Sequence, residues 1–269
     1  MSTSTPHKRP APAEVWSAGD YADVCDRMIP RLGERLVELA GVRPGQAVLD
    51  VATGTGNAAV PAALAGARVT GLDITPALLE TAAERAAAAG VNVTWVQGDA
   101  QALPLPDASF DRVMSCVGVQ FCADHHAAAA ELLRVCRPGG RVALIAWTPE
   151  GFIGQILAAT AKATGAAGSG PSPLDWGRES AVRDLFGAHV ANTVLEREHV
   201  DMPAPSPAAW VDYMASAYGP LLRARLALEQ RGTWATLRDR LIEIAAAHDA
   251  GDGGRFAGRA EYLVVLLER

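Results

Sequence analysis

The chain lacks most of the features that would place it in a special class. It has only four cysteines in 269 residues: Cys25, Cys116, Cys122 and Cys136. No two form a C-x-x-C pair, and no histidines gather at zinc-ligand spacing. No metal site and no disulfide framework are expected, and the cysteines read as reduced core residues. No run of about 18 apolar residues occurs, so no membrane-spanning helix is expected. No apolar stretch follows the charges at His7, Lys8 and Arg9, which argues against a secretory leader and for a cytoplasmic protein. Positive charge is also scarce. The net charge is −6 and lysine is rare, the opposite of a phosphate-backbone binder, so no nucleic-acid partner is expected. Charged residues make up 20% against 49% hydrophobic, which excludes a mostly disordered chain. A chain of this length can bury about 70% of its unfolded surface, enough for a core without staples.

Residues 1–13 are rich in Ser, Thr and Pro and are expected to be a mobile tail, leaving 14–269 as one domain. From Asp20 to Gly41 the apolar residues Val24, Met28, Leu32, Leu36 and Leu39 fall at helical spacing, interrupted by Pro30. A regular alternation follows. Strands are expected at 47–52, 68–73, 93–97, 110–117 and 141–147, and helices at 57–64, 76–89 and 126–136. Thr75 is placed to cap the second of these helices and Asp124 the third. Pro138-Gly139-Gly140 reads as a turn. Beyond Trp147 the pattern weakens: a loop at 165–173, a short helix at 180–186, a strand within 190–202 and a break at 203–207. Helices to about residue 250 and a last strand at 262–267 complete the chain. Strands alternating with helices imply right-handed crossovers and a parallel sheet that binds its ligand at the carboxyl ends of the strands.

The strand ends carry the chemistry. Val48 to Asn57 (VLDVATGTGN) is a strand, a glycine turn and a helix start. Such a turn lets backbone approach a ligand, and the helix start offers unpaired N–H groups to an anionic group. A dinucleotide or S-adenosylmethionine could use it. The stretch also satisfies G-x-G-x-x-A, and Asp73 lies 17 residues beyond Gly56, where an acid can accept ribose hydroxyls in either class. Four further features separate the two: Asp50 inside the first strand, Gly98-Asp99-Ala100 ending the third, the segment 103–111 (LPLPDASFD) leading into the fourth, and 133–141 (LRVCRPGGR) opening the fifth.

This ordered set resembles the class I S-adenosylmethionine-dependent methyltransferases, in the branch similar to ubiquinone and menaquinone biosynthesis enzymes and their actinobacterial small-molecule relatives. The match runs from about Val48 to Trp147, with WSAGDY at 16–21 and WTPEGF at 147–152 beside it. The resemblance implies an α/β, Rossmann-like, doubly wound, seven-stranded, mostly parallel sheet with an antiparallel last strand. It also implies a helical lid made of 14–41 and an insertion at 203–250. The cofactor implied is S-adenosyl-L-methionine, leaving as S-adenosyl-L-homocysteine, with no metal. Asp50 would orient the glycine loop and approach the cofactor's ammonium. Ala52, Thr53, Gly54, Gly56 and Asn57 would form the loop around the methionine part. Asp73 would accept the ribose hydroxyls, and Ile74 would pack on the adenine. Asp99 and the Ala100 N–H would meet the adenine edge. Ser115, Cys116 and Val117 would line the floor near the sulfonium, and Tyr21 would approach the reacting end from the lid. Ala52 replaces the family's first glycine, which alanine can do at negative φ.

The acceptor is less legible. Tyr21, His125 and His126 are the candidates for a catalytic role, although the two histidines equally flank a helix start. Trp210, Tyr213 and Tyr218 read either as lid packing or as an acceptor wall. No N-P-P-[YF] follows the fourth strand and no aspartate ends it, which argues against amide methylation and against a magnesium-dependent catechol mechanism. The expectation is methyl transfer to a small molecule in secondary metabolism, with the oligomeric state open. The alternatives are a fold of this kind doing non-methylating chemistry such as cyclisation, and an NAD(P)-dependent oxidoreductase.

Overall fold

The structure, a computed structural model, describes residues 11–168 and 170–269. Two short helices, α1 (Pro12–Trp16) and α2 (Tyr21–Met28), precede α3 (Leu32–Ala40). The alternating part is β1 (Ala47–Val51), α4 (Ala59–Leu64), β2 (Arg68–Asp73), α5 (Pro76–Ala88), β3 (Val93–Gln97), β4 (Phe110–Cys116), α6 (His125–Val135) and β5 (Cys136–Trp147). Then come α7 (Phe152–Thr164), α8 (Glu179–Phe186), β6 (Asn192–Ala204), α9 (Pro207–Ala217), α10 (Gly219–Glu229), α11 (Trp234–Ala247) and β7 (Phe256–Glu268).

The seven strands form one sheet in the order β3-β2-β1-β4-β5-β7-β6. β1 through β5 pair in parallel, and β7 runs antiparallel to both β5 and β6. This is the expected doubly wound sheet with an antiparallel last strand. β1 lies between β2 and β4, so the order of strands reverses there and a crevice opens at its carboxyl end. The pleat sends Val48 into a core shared with α2, α3, α4, α7 and α9–α11, and sends Leu49 and Val51 into a second core shared with α6 and α8.

Several boundaries differ from the sequence reading. Of the expected tail, residues 1–10 lie outside the described residues, while Pro12 and Ala13 already belong to α1. Thr75 stands at the N-cap of α5 but makes no side-chain cap. Instead the Asp73 carboxylate accepts its N–H at 2.8 Å. The segment 138–140 is drawn into β5, with Gly139 at φ 74° donating its N–H to the Arg269 carbonyl at 2.7 Å. Helix α7 was missing from the sequence reading. Pro203 and Ala204 extend β6, because β7 pairs with them out to Phe256, so the chain breaks only after Ala204. Among the described residues no helix is long and apolar enough to cross a membrane.

Candidate functional site

The crevice at the carboxyl end of β1 is built on two buried carboxylates. Asp50 sits on β1 opposite Gly71 and Met114 and is 1% exposed. Its Oδ2 accepts the Thr53 hydroxyl at 2.6 Å, while Oδ1 has no hydrogen-bond partner. Burial pushes its carboxyl up to about 7, opposed by Thr53 and the nearby Ala59 N–H and reinforced by the charge of Asp73. Asp73 ends β2. Its Oδ2 accepts the Gly54 N–H and its Oδ1 the Thr75 N–H, both at 2.8 Å. Burial raises this carboxyl as well, against those backbone donors. One aspartate therefore ties the glycine loop to the start of α5, and the Thr53 N–H adds a bond to the Leu72 carbonyl at 2.9 Å.

Ala52 overturns one expectation. It has φ 54°, the left-handed region, rather than the negative φ expected of an alanine there. Val117, at the end of β4, has φ 48°. A non-glycine residue is uncommon in this region and is held there by its surroundings, and such positions cluster at functional sites. Both residues line the same cleft.

That cleft is open to solvent at its mouth. Of the predicted residues it brings together Tyr21, Ala52, Gly54, Asp73, Ile74, Asp99, Ala100 and Val117. Asp99 holds the Gln101 amide through both carboxylate oxygens, at 2.8 and 3.0 Å, and the other end of that amide accepts the Asp124 N–H at 2.7 Å. Tyr21 lies over the glycine loop, for a Cβ on Gly54 would meet its ring at 3.3 Å. Burial, together with Cys25, Tyr218 and Cys116 nearby, holds its phenol well above the usual range.

Other predicted residues support the cleft without lining it. Asp50 and Thr53 brace the loop from beneath. The Ser115 hydroxyl donates to the Val51 carbonyl at 2.7 Å and accepts the Val119 N–H at 3.1 Å, so it is a brace rather than floor. Cys116 does not line this cleft, and burial raises its thiol. Gly56 and Asn57 face the far side of the loop with Arg85. His125 packs edge-on against Trp176 at 5.5 Å, its Nε2 buried and unpartnered, and burial lowers its imidazole. His126 is exposed on α6, and neither histidine borders the cleft. Asp124 caps α6 as expected, accepting the Ala127 N–H at 2.9 Å.

Sequence reasoning gave no role to Trp16, Gln101 or Phe121. Trp16 stands at the centre of an aromatic group, with centroids 5.5 Å from Tyr21, 4.9 Å from Phe121 and 5.8 Å from Tyr218. The chain is pinned here because Gly19 bridges to Tyr218 and the Asp20 N–H donates to the Ala217 carbonyl at 2.9 Å. A side chain on Gly19 would strike that carbonyl. The WSAGDY segment was the only signal for Trp16, and nothing local marked Phe121. Behind this group lies a second chamber, to which Trp16, Tyr21, Val117 and Phe121 also contribute. Trp210 and Tyr218 line it. Tyr213 turns away and donates to Asp23 at 2.8 Å, joining α9 to α2. Among the described residues no cluster could hold a metal ion.

A family model described as a methyltransferase domain matches residues 49–144. The chain is 41% identical to an uncharacterized protein of Mycobacterium tuberculosis, over 95% of this chain and 93% of that one. It is 40% identical to a demethylmenaquinone methyltransferase of Thermus thermophilus, over 47% of this chain and 59% of that protein. Among solved structures, the YcgJ protein of Bacillus subtilis superposes with a TM-score of 0.61 at 20% identity, covering 89% of this chain and 98% of that one.

Proposed function

The chain belongs to the class I S-adenosylmethionine-dependent methyltransferases, and on that premise we propose that it moves a methyl group from this cofactor to a small-molecule acceptor. The observation that carries the reading is the shared wall of Trp16, Tyr21, Val117 and Phe121, which borders both the cleft and the chamber behind it. Methyl transfer calls for donor and acceptor on either side of one junction, aligned and shielded from water.

The residues of the cleft fit the cofactor. Asp73, already held by two backbone N–H groups, would take the ribose hydroxyls. Asp99 and Ala100 would meet the adenine edge, with Ile74 against its face. Asp50 has a buried oxygen without a partner, the kind of acceptor an ammonium group satisfies. Bound there, S-adenosylmethionine supplies an electrophilic methyl group on a sulfonium. The chain's own part is to bind, to orient and to exclude water. We assign the cover over the junction to α1, α2, α9 and α10, acting as a lid. By the resemblance to small-molecule relatives, the acceptor belongs to secondary metabolism.

Parallel calorimetric titrations with S-adenosylmethionine, S-adenosylhomocysteine and NADH test this reading. Micromolar binding of both adenosyl ligands and none of NADH is expected. Binding of NADH alone overturns it. Tight cofactor binding that never yields S-adenosylhomocysteine with any acceptor favours non-methylating chemistry such as cyclisation.

A further inference from the structure

The walls of the second chamber restrict what can enter it. They come from α1, α2, the segment after β4, the end of β5, α7, β6 and the junction of α9 and α10. No Asp, Glu, His, Lys or Arg is among the residues that line it. The Thr160 hydroxyl is already committed to the Ile156 carbonyl at 2.8 Å. Tyr21 and Tyr218 carry the other hydroxyls, and burial holds both phenols above their usual range, so they stay neutral.

The Trp210 indole is a further polar group in this wall. Trp210 lines the chamber and is 0% exposed. Its ring packs on Phe152 with centroids 4.6 Å apart, and its indole N–H has no hydrogen-bond partner. A buried donor without an acceptor is unusual and costly, and in a cavity wall a ligand can relieve it. A charged ligand would instead lose its water in a chamber with no counter-charge.

We propose that this chamber binds an uncharged, largely apolar acceptor bearing a carbonyl or ether oxygen, and that the Trp210 N–H donates to that oxygen. The inference rests on the reading that the neighbouring cleft holds the cofactor. It makes Trp210 a specificity-determining residue.

The test uses the full chain saturated with S-adenosylhomocysteine, whose binding is established first. Four probes are then titrated, followed by tryptophan fluorescence: α-tetralone, tetralin, protonated 1-aminotetralin and 1-naphthoate. α-Tetralone is expected to bind at least fivefold more tightly than tetralin, which lacks the oxygen. Both charged probes are expected to bind at least tenfold more weakly than α-tetralone. In Trp210→Phe the preference for α-tetralone over tetralin should vanish. In the unsubstituted, ¹⁵N-indole-labelled protein, the Trp210 resonance should move with α-tetralone and stay still with tetralin, which keeps the test valid if the variant fails to fold. A charged probe binding as tightly as α-tetralone overturns the proposal. So does an unmoved Trp210 resonance, or binding of no probe while S-adenosylhomocysteine binds. Failure of S-adenosylhomocysteine itself to bind removes the reading of the cleft and this inference with it.

Discussion

Ala52 and Gly118 share a space that holds one methyl group. A Cβ on Gly118 would lie 2.6 Å from the Ala52 Cβ and 2.7 Å from its carbonyl oxygen. Gly118 itself has φ −98°, which any residue adopts, so the glycine is there for room rather than for its backbone. Ala52 bears the backbone strain, at φ 54°. Ala52→Gly should therefore stabilise the protein by about 1 kcal/mol, through relief of the left-handed alanine. Gly118→Ala should destabilise it by about 1–3 kcal/mol, the scale of overpacking. Combining the two should recover part of that loss, since the methyl clash goes and the carbonyl contact stays. Urea denaturation of all four proteins measures the cycle, and additive effects would show that the two sites do not interact.

Asp73 acts on loop and ligand together. Asp73→Ala leaves the Gly54 and Thr75 N–H groups without their acceptor and removes the proposed ribose contact. Cofactor affinity should fall by about 1–3 kcal/mol, the scale of a charge-assisted hydrogen bond. Calorimetry decides, and unchanged affinity sinks the ribose role.

Asp50 makes stability depend on pH. Its carboxyl ordinarily titrates near 3.8 and in the folded protein is pushed up to about 7. The folded state therefore keeps a proton that the unfolded chain releases. The resulting stability is fully present below about pH 4 and is lost as pH rises through about 7. Asp50→Asn should flatten this slope, so its melting temperature should gain on the parent protein between pH 5 and pH 8. If the ionised carboxylate meets the cofactor's ammonium, binding at pH 6 should release a proton that the variant does not. Titrations in buffers of different ionisation enthalpy count that proton.

Arg85 ties the glycine loop to α2. It reaches Asn57 at 3.1 Å, Asp26 at 2.6 Å and the Ala22 carbonyl at 3.2 Å, so α5 holds the helix that begins with Tyr21. Arg85→Met keeps much of the apolar stem and loses these bonds. Amide exchange in 21–28 should accelerate about tenfold while β1 stays protected. Equal protection in both proteins would mean that packing alone holds α2.

How much of this was legible in the sequence follows from the range of the forces involved. The strands β1, β2 and β3, the helix break at Pro30, the Asp124 cap and the acids at the strand ends are set by local runs, turns and caps, which a single chain displays in order. The aspartates were readable because a charge inside or at the end of a buried strand stands out against its neighbours. The long pairing of β6 and β7 was not readable, because it is decided by a partner strand about sixty residues away. Nor was the direction of each side chain. Ser115 turned out to brace the loop, Gly56 and Asn57 face its far side, and His125 turned to Trp176, because packing chooses which face each one presents. The left-handed φ of Ala52 depends on the space that Gly118 leaves. The second chamber exists only where Trp16, Phe121, Trp210 and Tyr218 converge from distant segments. The sequence by itself determined the alternating strands and helices between β1 and β5 and the acids at their strand ends, through local pattern. The tertiary structure alone decided the shape and polarity of the second chamber, because only long-range packing brings its walls together.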